Sequence, residues 1–182
     1  MKRKLSIMFM IALATFALFA CKGEEKKVYS GSVMVYTTFD ETTINTIKND
    51  FEDAYSGVVL DYFFGNMDSI EEKINMSFSL ELPEADILLI NSERDLQAFK
   101  NKSYLTPYTS KEDKKVVADY KAGQDGFYVV ALNEDDSKNY VAVVSNSLNK
   151  ENAELLIDYL LSKNCQKNLV NMGLKSVRND VK

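Results

Sequence analysis

The sequence predicts an α/β fold in which a central, mostly parallel sheet is flanked by helices. Two observations support this prediction. Between residues 33 and 99, short apolar runs alternate with segments whose apolar residues recur every three or four positions, the patterns of buried strands and amphipathic helices. Turn-forming residues, among them Gly57 and Gly65, separate the two patterns. A chain with this order of elements forms a parallel sheet whose helical connections cross over it.

Residues 33–55 contain the clearest strand and the clearest helix. Residues 33–39 are apolar, β-branched or aromatic, which predicts a buried strand. In the segment that follows, Ile44, Ile47 and Phe51 are spaced so that they lie on one face of a helix. Asp40 is suited to the N-cap of this helix, because its side chain can accept a hydrogen bond from a free backbone N–H.

The remaining elements follow from the same two patterns. Strands are predicted at residues 58–64, 85–90, 127–132 and 140–144, and helices at residues 67–78, from Ser92, from Asn149 and around residues 165–172. The seven residues 133–139 have a length suited to a hairpin-like return between two strands. Cys165 falls within a partly apolar helical pattern, so we expect a core thiol.

The N-terminal residues predict export and attachment to a lipid. Residues 1–20 combine a basic start with an apolar segment that is too short for a comfortable membrane span, as in signal peptides. Residues 18–21 resemble a bacterial lipobox, in which Cys21 is the lipidated residue. An ordinary secretory signal and an uncleaved anchor are the alternatives. We expect a lipoprotein signal peptide at 1–20, a charged tether at 21–32, one α/β domain at 33–177 and a tail at 178–182.

Composition and motifs argue against two classes of function. The net charge of −5 disfavours binding to nucleic acid and electrostatic adhesion to anionic lipid. The chain contains no histidine and no motif for an activated serine, a phosphate-binding glycine loop or a CxxC pair. We therefore expect a protein that is not an enzyme and has no cofactor. The signal peptide and lipobox predict that it is exported and held by its lipid on the cell membrane, or on the outer membrane or in the periplasm.

Polar residues follow three of the predicted strands and form a candidate ligand site. Ligands of α/β proteins collect at the carboxyl ends of parallel strands, where helix N-termini present free N–H groups that bind anions. The candidate ligand-binding residues are Thr37, Thr38, Phe39, Asp40, Asn66, Asn91 and Ser92. The alternative is that these residues are only caps and turns.

A cation site is a second alternative at the same edge. Oxygen ligands could come from Asp40, Glu41, Asp68, Glu71 and Glu72. No fixed spacing of metal ligands supports this alternative, and a solvated acidic face explains the same residues. The identity of any metal is left open.

Three blocks of sequence resemble a known family when taken in order. They are residues 33–38, residues 85–89 followed by the Leu-x-Pro-Tyr segment 105–108, and residues 152–167 with their Leu-Leu-Ser-x-x-x-Gln end. Together they resemble the periplasmic-binding-protein type II superfamily, and within it the ferric-iron type of extracellular solute-binding protein of ABC importers. The resemblance implies a small ligand, either a metal ion or an anion, and an importer permease as partner.

The same resemblance implies that one lobe is missing. Members of the family usually have two lobes with a ligand cleft between them. In the iron binders, a pair of tyrosines from the second lobe supplies the main metal ligands. Here residues 133–139 lead directly back into what resembles the first lobe. A histidine that commonly follows the first strand is also absent, and Phe39 and Asp40 occupy its neighbourhood.

Two functional hypotheses follow from the sequence. The first is a solute-binding lipoprotein of an ABC importer, shortened to one lobe, whose cleft is completed by self-association or by a second chain. The second is a lipoprotein outside transport that uses the lobe as a scaffold for protein contacts, or a remnant that binds nothing. Loss of the second lobe removes buried contact area from a ligand, whereas a bare apolar edge favours protein contacts.

Overall fold

The computed structural model describes residues 28–182. The predicted signal peptide, Cys21 and most of the predicted tether lie outside the described residues. Within the described part of the chain, no helix combines the length and apolar character needed to cross a membrane.

The described residues form six strands, five α-helices and two short 3₁₀ turns. The strands are β1 (Gly31–Thr37), β2 (Val58–Phe64), β3 (Ile87–Ile90), β4 (Leu105–Thr106), β5 (Tyr128–Leu132) and β6 (Lys138–Val144). The helices are α1 (Glu41–Ala54), α2 (Met67–Ser79), α3 (Glu93–Asn101), α4 (Lys150–Leu160) and α5 (Lys163–Asn171). Residues 109–124, whose helical spacing is weak, contain only the 3₁₀ turns Asp113–Lys115 and Ala118–Tyr120.

The strands form one mixed sheet in the order β2-β1-β3-β6-β4, with β5 also paired to β6. The first half is parallel, since β1 pairs with β2 and β3 in that orientation. The second half is antiparallel, because β6 runs against β3, β4 and β5. The α/β class and the central sheet are confirmed, and the parallel pairing predicted for most of the sheet is confined to its first three strands.

The helices lie on both faces of the sheet. From β1 the chain passes through α1 to β2, and from β2 it returns through α2 to β3 on the other side of β1. Because such crossovers are right-handed, α1 and α2 lie on opposite faces. Helix α1 shares its face with α4, since the rings of Phe51 and Tyr159 pack edge to face with centroids 5.4 Å apart.

Helix α4 is the most deeply buried helix among the described residues. It packs against β1 and β6, and eight of its eleven residues are buried. Asp158 of this helix is also buried and accepts hydrogen bonds from Ser110 Oγ at 2.6 Å and Tyr108 Oη at 2.9 Å. These bonds hold the irregular segment after β4 against the helix. Cys165 of α5 is buried as expected for a core thiol, and burial raises its pKa to about 12.

A tight turn joins β5 to β6. Residues 133–137 form the turn, and the backbone N–H of Asn133 donates to the carbonyl of Ser137 at 2.9 Å. Asp135 accepts from both the N–H and the hydroxyl of Ser137, at 3.0 and 2.6 Å. The ammonium of Lys175, which lies outside the turn, forms an ion pair with Asp136 at 2.7 Å. The described residues therefore form one lobe, and the chain passes from β5 to β6 without a second one.

The ends of the domain reach slightly beyond the predicted limits of 33–177. Strand β1 begins at Gly31, and the segment predicted as a tail packs onto the lobe. The guanidinium of Arg178 is buried and donates to Glu112 at 2.7 Å, to Asp180 at 2.7 Å and to the carbonyl of Leu161 at 2.7 Å. Residues 178–182 are thus part of the folded domain.

Asp86 joins the two halves of the sheet at the amino end of β3. Its buried carboxylate accepts from the N–H of Met34 at 2.8 Å, from Ser147 Oγ at 2.6 Å and from the side-chain amide of Asn149 at 3.2 Å. Removal of this carboxylate leaves buried donors without acceptors, which is costly in a protein interior.

We expect Asp86→Ala to lower the free energy of unfolding by about 3 kcal/mol, because several buried donors lose their partner. Chemical denaturation of both proteins measures the difference. Asp61→Ala on the exposed side of β2 is the control, with an expected change of less than about 0.5 kcal/mol. Equal effects of the two substitutions would show that Asp86 does not hold the sheet together.

Candidate functional site

The carboxyl ends of β1, β2 and β3 lie side by side at one edge of the sheet, here called the carboxyl edge. Strand β6 starts at this edge, because it runs antiparallel to β3 and its Tyr140 pairs with Ile90. From β1 the chain moves one way to β2 and then the other way to β3, so the strand order reverses between β1 and β3. Such a reversal is the place where open α/β sheets bind ligands.

Three helices begin at the carboxyl edge, and each has an N-cap side chain that accepts a backbone hydrogen bond. Asp40 caps α1 by accepting from the N–H of Thr43 at 3.0 Å. Asn66 caps α2 through the N–H of Ser69 at 2.9 Å, and Ser92 caps α3 through the N–H of Asp95 at 3.3 Å. The positive ends of three helix dipoles therefore point to one edge of the sheet.

The hydroxyls of Thr37 and Thr38 tie the loops after β1 and β3 together. Thr37 Oγ1 donates to the carbonyl of Leu89 at 2.9 Å and accepts from the N–H of Phe39 at 3.0 Å. Thr38 Oγ1 accepts from the N–H of Asn91 at 3.1 Å. These bonds set the spacing of the two loops at the point where the strand order reverses.

Exposure separates the candidate residues into three groups. Thr37 is fully buried and Phe39 is 7% exposed, so both side chains belong to the interior. Thr38 and Ser92 are half-buried, while Asp40, Asn66 and Asn91 are exposed. The structure brings Thr38, Asn91 and Ser92 together, whereas Asp40 and Asn66 lie at the starts of their own helices.

The acidic residues near this edge do not form a metal site in the described part of the chain. Among residues 28–182 no group of three or more histidine, cysteine, aspartate or glutamate side chains is placed to hold a metal ion. The carboxylate of Asp40 serves its own helix instead, and hydrogen bonds from the side chain and N–H of Thr43 lower its pKa.

A small cavity of about 110 Å³ lies beside Glu93, the first residue of α3, at the same edge. It is lined by Glu93, Asp119, Lys121, Ala122, Asp125, Phe127, Val129, Lys138 and Tyr140. Tyr140 Oη donates to Glu93 Oε2 at 2.7 Å, and the pKa of Tyr140 is raised by burial and by this carboxylate. The rings of Phe127 and Tyr140 pack edge to face with centroids 5.9 Å apart.

The sequence does not predict this cavity, because its lining residues come from distant parts of the chain. Glu93 follows β3, Asp119 lies in a 3₁₀ turn and Lys138 opens β6. The antiparallel pairing of β6 with β3 brings them to one place. The one signal in the sequence was the predicted hairpin-like return, which places the residue after the turn at the same edge as the carboxyl end of β5.

Other cavities lie at the opposite edge, where β1 starts. One is bounded by residues 28–30 and 148–152, and another by Tyr29, Tyr55 and Lys111 with their neighbours. The rings of Tyr29 and Tyr55 pack edge to face with centroids 5.6 Å apart. Residues 28–30 lie at this edge, immediately before β1.

Solved structures of bacterial binding proteins share this fold. The periplasmic binding protein AfuA from Actinobacillus pleuropneumoniae, with exogenous fructose-6-phosphate bound, has a TM-score of 0.71 at 11% identity over 85% of this chain and 87% of its own. A Bordetella ferric binding protein has a TM-score of 0.70 at 14% identity over 83% and 87%. The substrate binding protein of an ABC transporter from Agrobacterium tumefaciens has a TM-score of 0.75 at 9% identity over 90% and 83%.

These similarities define the class of fold. The described residues have the fold of the periplasmic binding proteins of ABC transporters, which confirms the fold that the three sequence blocks predict. No protein-family model matches the sequence, and no match was found among curated proteins.

We expect Asp40→Ala to lower the free energy of unfolding by about 1 kcal/mol at pH 7, because α1 loses its N-cap. The pKa of Asp40 is lowered in the folded state, so its charge stabilises the fold above the ordinary aspartate pKa of about 3.9. This contribution is lost as the pH falls through the lowered pKa. The difference between the wild type and Asp40→Ala therefore shrinks below about pH 4.

Denaturation curves from pH 3 to pH 7 test this prediction, with Asp40→Asn as the control that keeps a capping oxygen without a titratable charge. A difference between the wild type and Asp40→Ala that stays constant over this range would contradict the assigned role of the charge.

Proposed function

We propose that the chain is an exported, lipid-anchored solute-binding protein of the ABC-importer type, shortened to one lobe, which binds a small solute at its carboxyl edge. The observation that carries this proposal is the geometry of that edge. The N-termini of three helices, the polar residues Thr38, Asn91 and Ser92, and a small cavity beside Glu93 all lie along this one edge.

The donors at this edge favour a solute that carries an anionic group. Helix N-termini present N–H groups and a positive dipole, which together favour negative charge. A ferric ion held by protein carboxylates is less well supported, because the described residues offer no cluster of such ligands. The chain also contains no histidine. We therefore favour the small-anion alternative over iron.

One lobe leaves a solute open on one side. A binding site normally buries most of its ligand, so a second surface is needed for tight binding. A second copy of the chain, a separate chain or the importer permease supplies that surface in our proposal. The turn at residues 133–137 supports a chain that works as one lobe. The side chains of Asn133, Asp135 and Asp136 each have a hydrogen-bond partner within the lobe.

A protein-interaction scaffold is the second candidate function. Several apolar side chains are about half exposed, and Met76, Leu80 and Leu82 lie close together in sequence at the end of α2. Phe64 is also 49% exposed at the carboxyl end of β2. Exposed apolar side chains of this kind favour contacts with another protein when they form a continuous patch.

A thermal-unfolding screen tests the solute-binding function. The full chain in mild detergent is unfolded with phosphate, sulfate, small carboxylates, sugar phosphates, amino acids, and ferric and divalent metals. A solute at a hundredfold excess over its Kd stabilises the native state by about 2.7 kcal/mol. For a domain of this size the melting temperature rises by roughly 5 to 10 °C.

Ser92→Leu and Thr38→Leu are expected to abolish the rise produced by that solute, because a bulky apolar side chain blocks the edge. Ser56→Leu places the same side chain in an exposed position at the opposite edge and is the matched control. The melting temperature of each variant is measured with and without solute, so that any loss of stability caused by the substitution itself cancels in the difference. If no solute raises the melting temperature at millimolar concentration, the scaffold function is favoured instead.

A further inference from the structure

The cavity beside Glu93 holds two charged side chains that have no charged partner among the described residues. Lys138 is half-buried, and its ammonium lies 5.8 Å from the ring centroid of Tyr120 but makes no ion pair within residues 28–182. Asp119, on the 3₁₀ turn, makes neither a hydrogen bond nor an ion pair with any other residue in this range. Both residues line the same cavity, yet they form no ion pair with each other.

The other charged groups of the cavity already have partners. Lys121 pairs with Asp113 at 3.0 Å, and Asp125 pairs with Lys100 at 2.6 Å. Glu93 accepts the hydroxyl of Tyr140. One positive and one negative group are therefore left for a ligand, and they are contributed by separate elements of the fold.

The walls and the size of the cavity restrict the ligand further. Phe127 and Val129 are buried apolar residues, and they form part of the lining together with the ring of Tyr140. The volume of about 110 Å³ is far below the several hundred Å³ of a site for a drug-sized ligand. Only a compact solute of a few heavy atoms fits within this lobe.

We propose that this cavity binds a small zwitterion of the α-amino-acid class, with its carboxylate at Lys138 and its ammonium at Asp119. Carboxylate and ammonium groups each gain from a charge-assisted hydrogen bond of this kind. A ligand with both charges satisfies both side chains, whereas an anion alone leaves Asp119 without a partner and meets the repulsion of Glu93. The inference rests on the proposed solute-binding function and specifies the substrate class at the same edge.

Isothermal titration calorimetry of the full chain in mild detergent tests the inference with glycine, L-alanine, L-serine and L-proline. Acetate and methylammonium are the probes that carry only one of the two charges. We expect at least one amino acid to bind at least tenfold more tightly than either single-charge probe. Tight binding follows only when both charged side chains are satisfied by one molecule.

Two variants that keep the size of the side chain locate the site. Lys138→Met and Asp119→Asn are each expected to weaken binding of the amino acid at least tenfold. Lys167→Met on the exposed face of α5 and Asp61→Asn on β2 are the matched controls, and binding by both is expected to match the wild type. Circular dichroism and melting temperature confirm that each variant is folded.

Two results would overturn the inference. If a simple anion such as phosphate binds the wild type, Lys138→Met and Asp119→Asn equally well, the proposed function stands and the amino-acid class is wrong. If none of the four amino acids binds at millimolar concentration, the inference fails whatever the thermal screen shows for other solutes.

Discussion

The pairing of β6 with β3 is the interaction on which the rest of the structure depends. It joins the parallel half of the sheet, built by crossover connections, to the antiparallel half. Strand β6 reaches this position only because the turn at residues 133–137 sends the chain back along β5. Asp86 fixes the same junction at the opposite edge by bonding to Met34 and Ser147. One short turn therefore decides that the chain folds as one lobe with a single continuous core.

This pairing also shapes the carboxyl edge. It places the start of β6 beside the carboxyl ends of β1 and β3, where the loops are tied together by Thr37 and Thr38. This edge carries hydrogen-bonded loops, three helix N-termini and a small cavity. In the proposed function this edge binds solute without closure inside one chain, so any closure depends on a second molecule.

Local patterns predicted the elements of the fold well, because strands such as residues 58–64 and helix α1 are determined by their own apolar spacing. The caps Asp40 and Ser92 were equally predictable, since each depends on a side chain and an N–H only three residues apart. The antiparallel half of the sheet was not, because its pairing depends on contacts between distant segments. The cavity was missed for the same reason: Glu93, Asp119 and Lys138 meet only after β6 has paired with β3. The burial of Thr37 likewise follows from tertiary packing.

In our proposal, a small solute binds at the carboxyl edge of a single lobe. Hydrogen exchange of the full chain, measured by mass spectrometry with and without the solute that gives the largest rise in melting temperature, tests this claim most directly. We expect slower exchange in peptides that contain residues 38–40, 91–93 and 138–140, with little change elsewhere. Protection at the opposite edge around Tyr29 and Leu148, or no local protection at saturating solute, would contradict the claim.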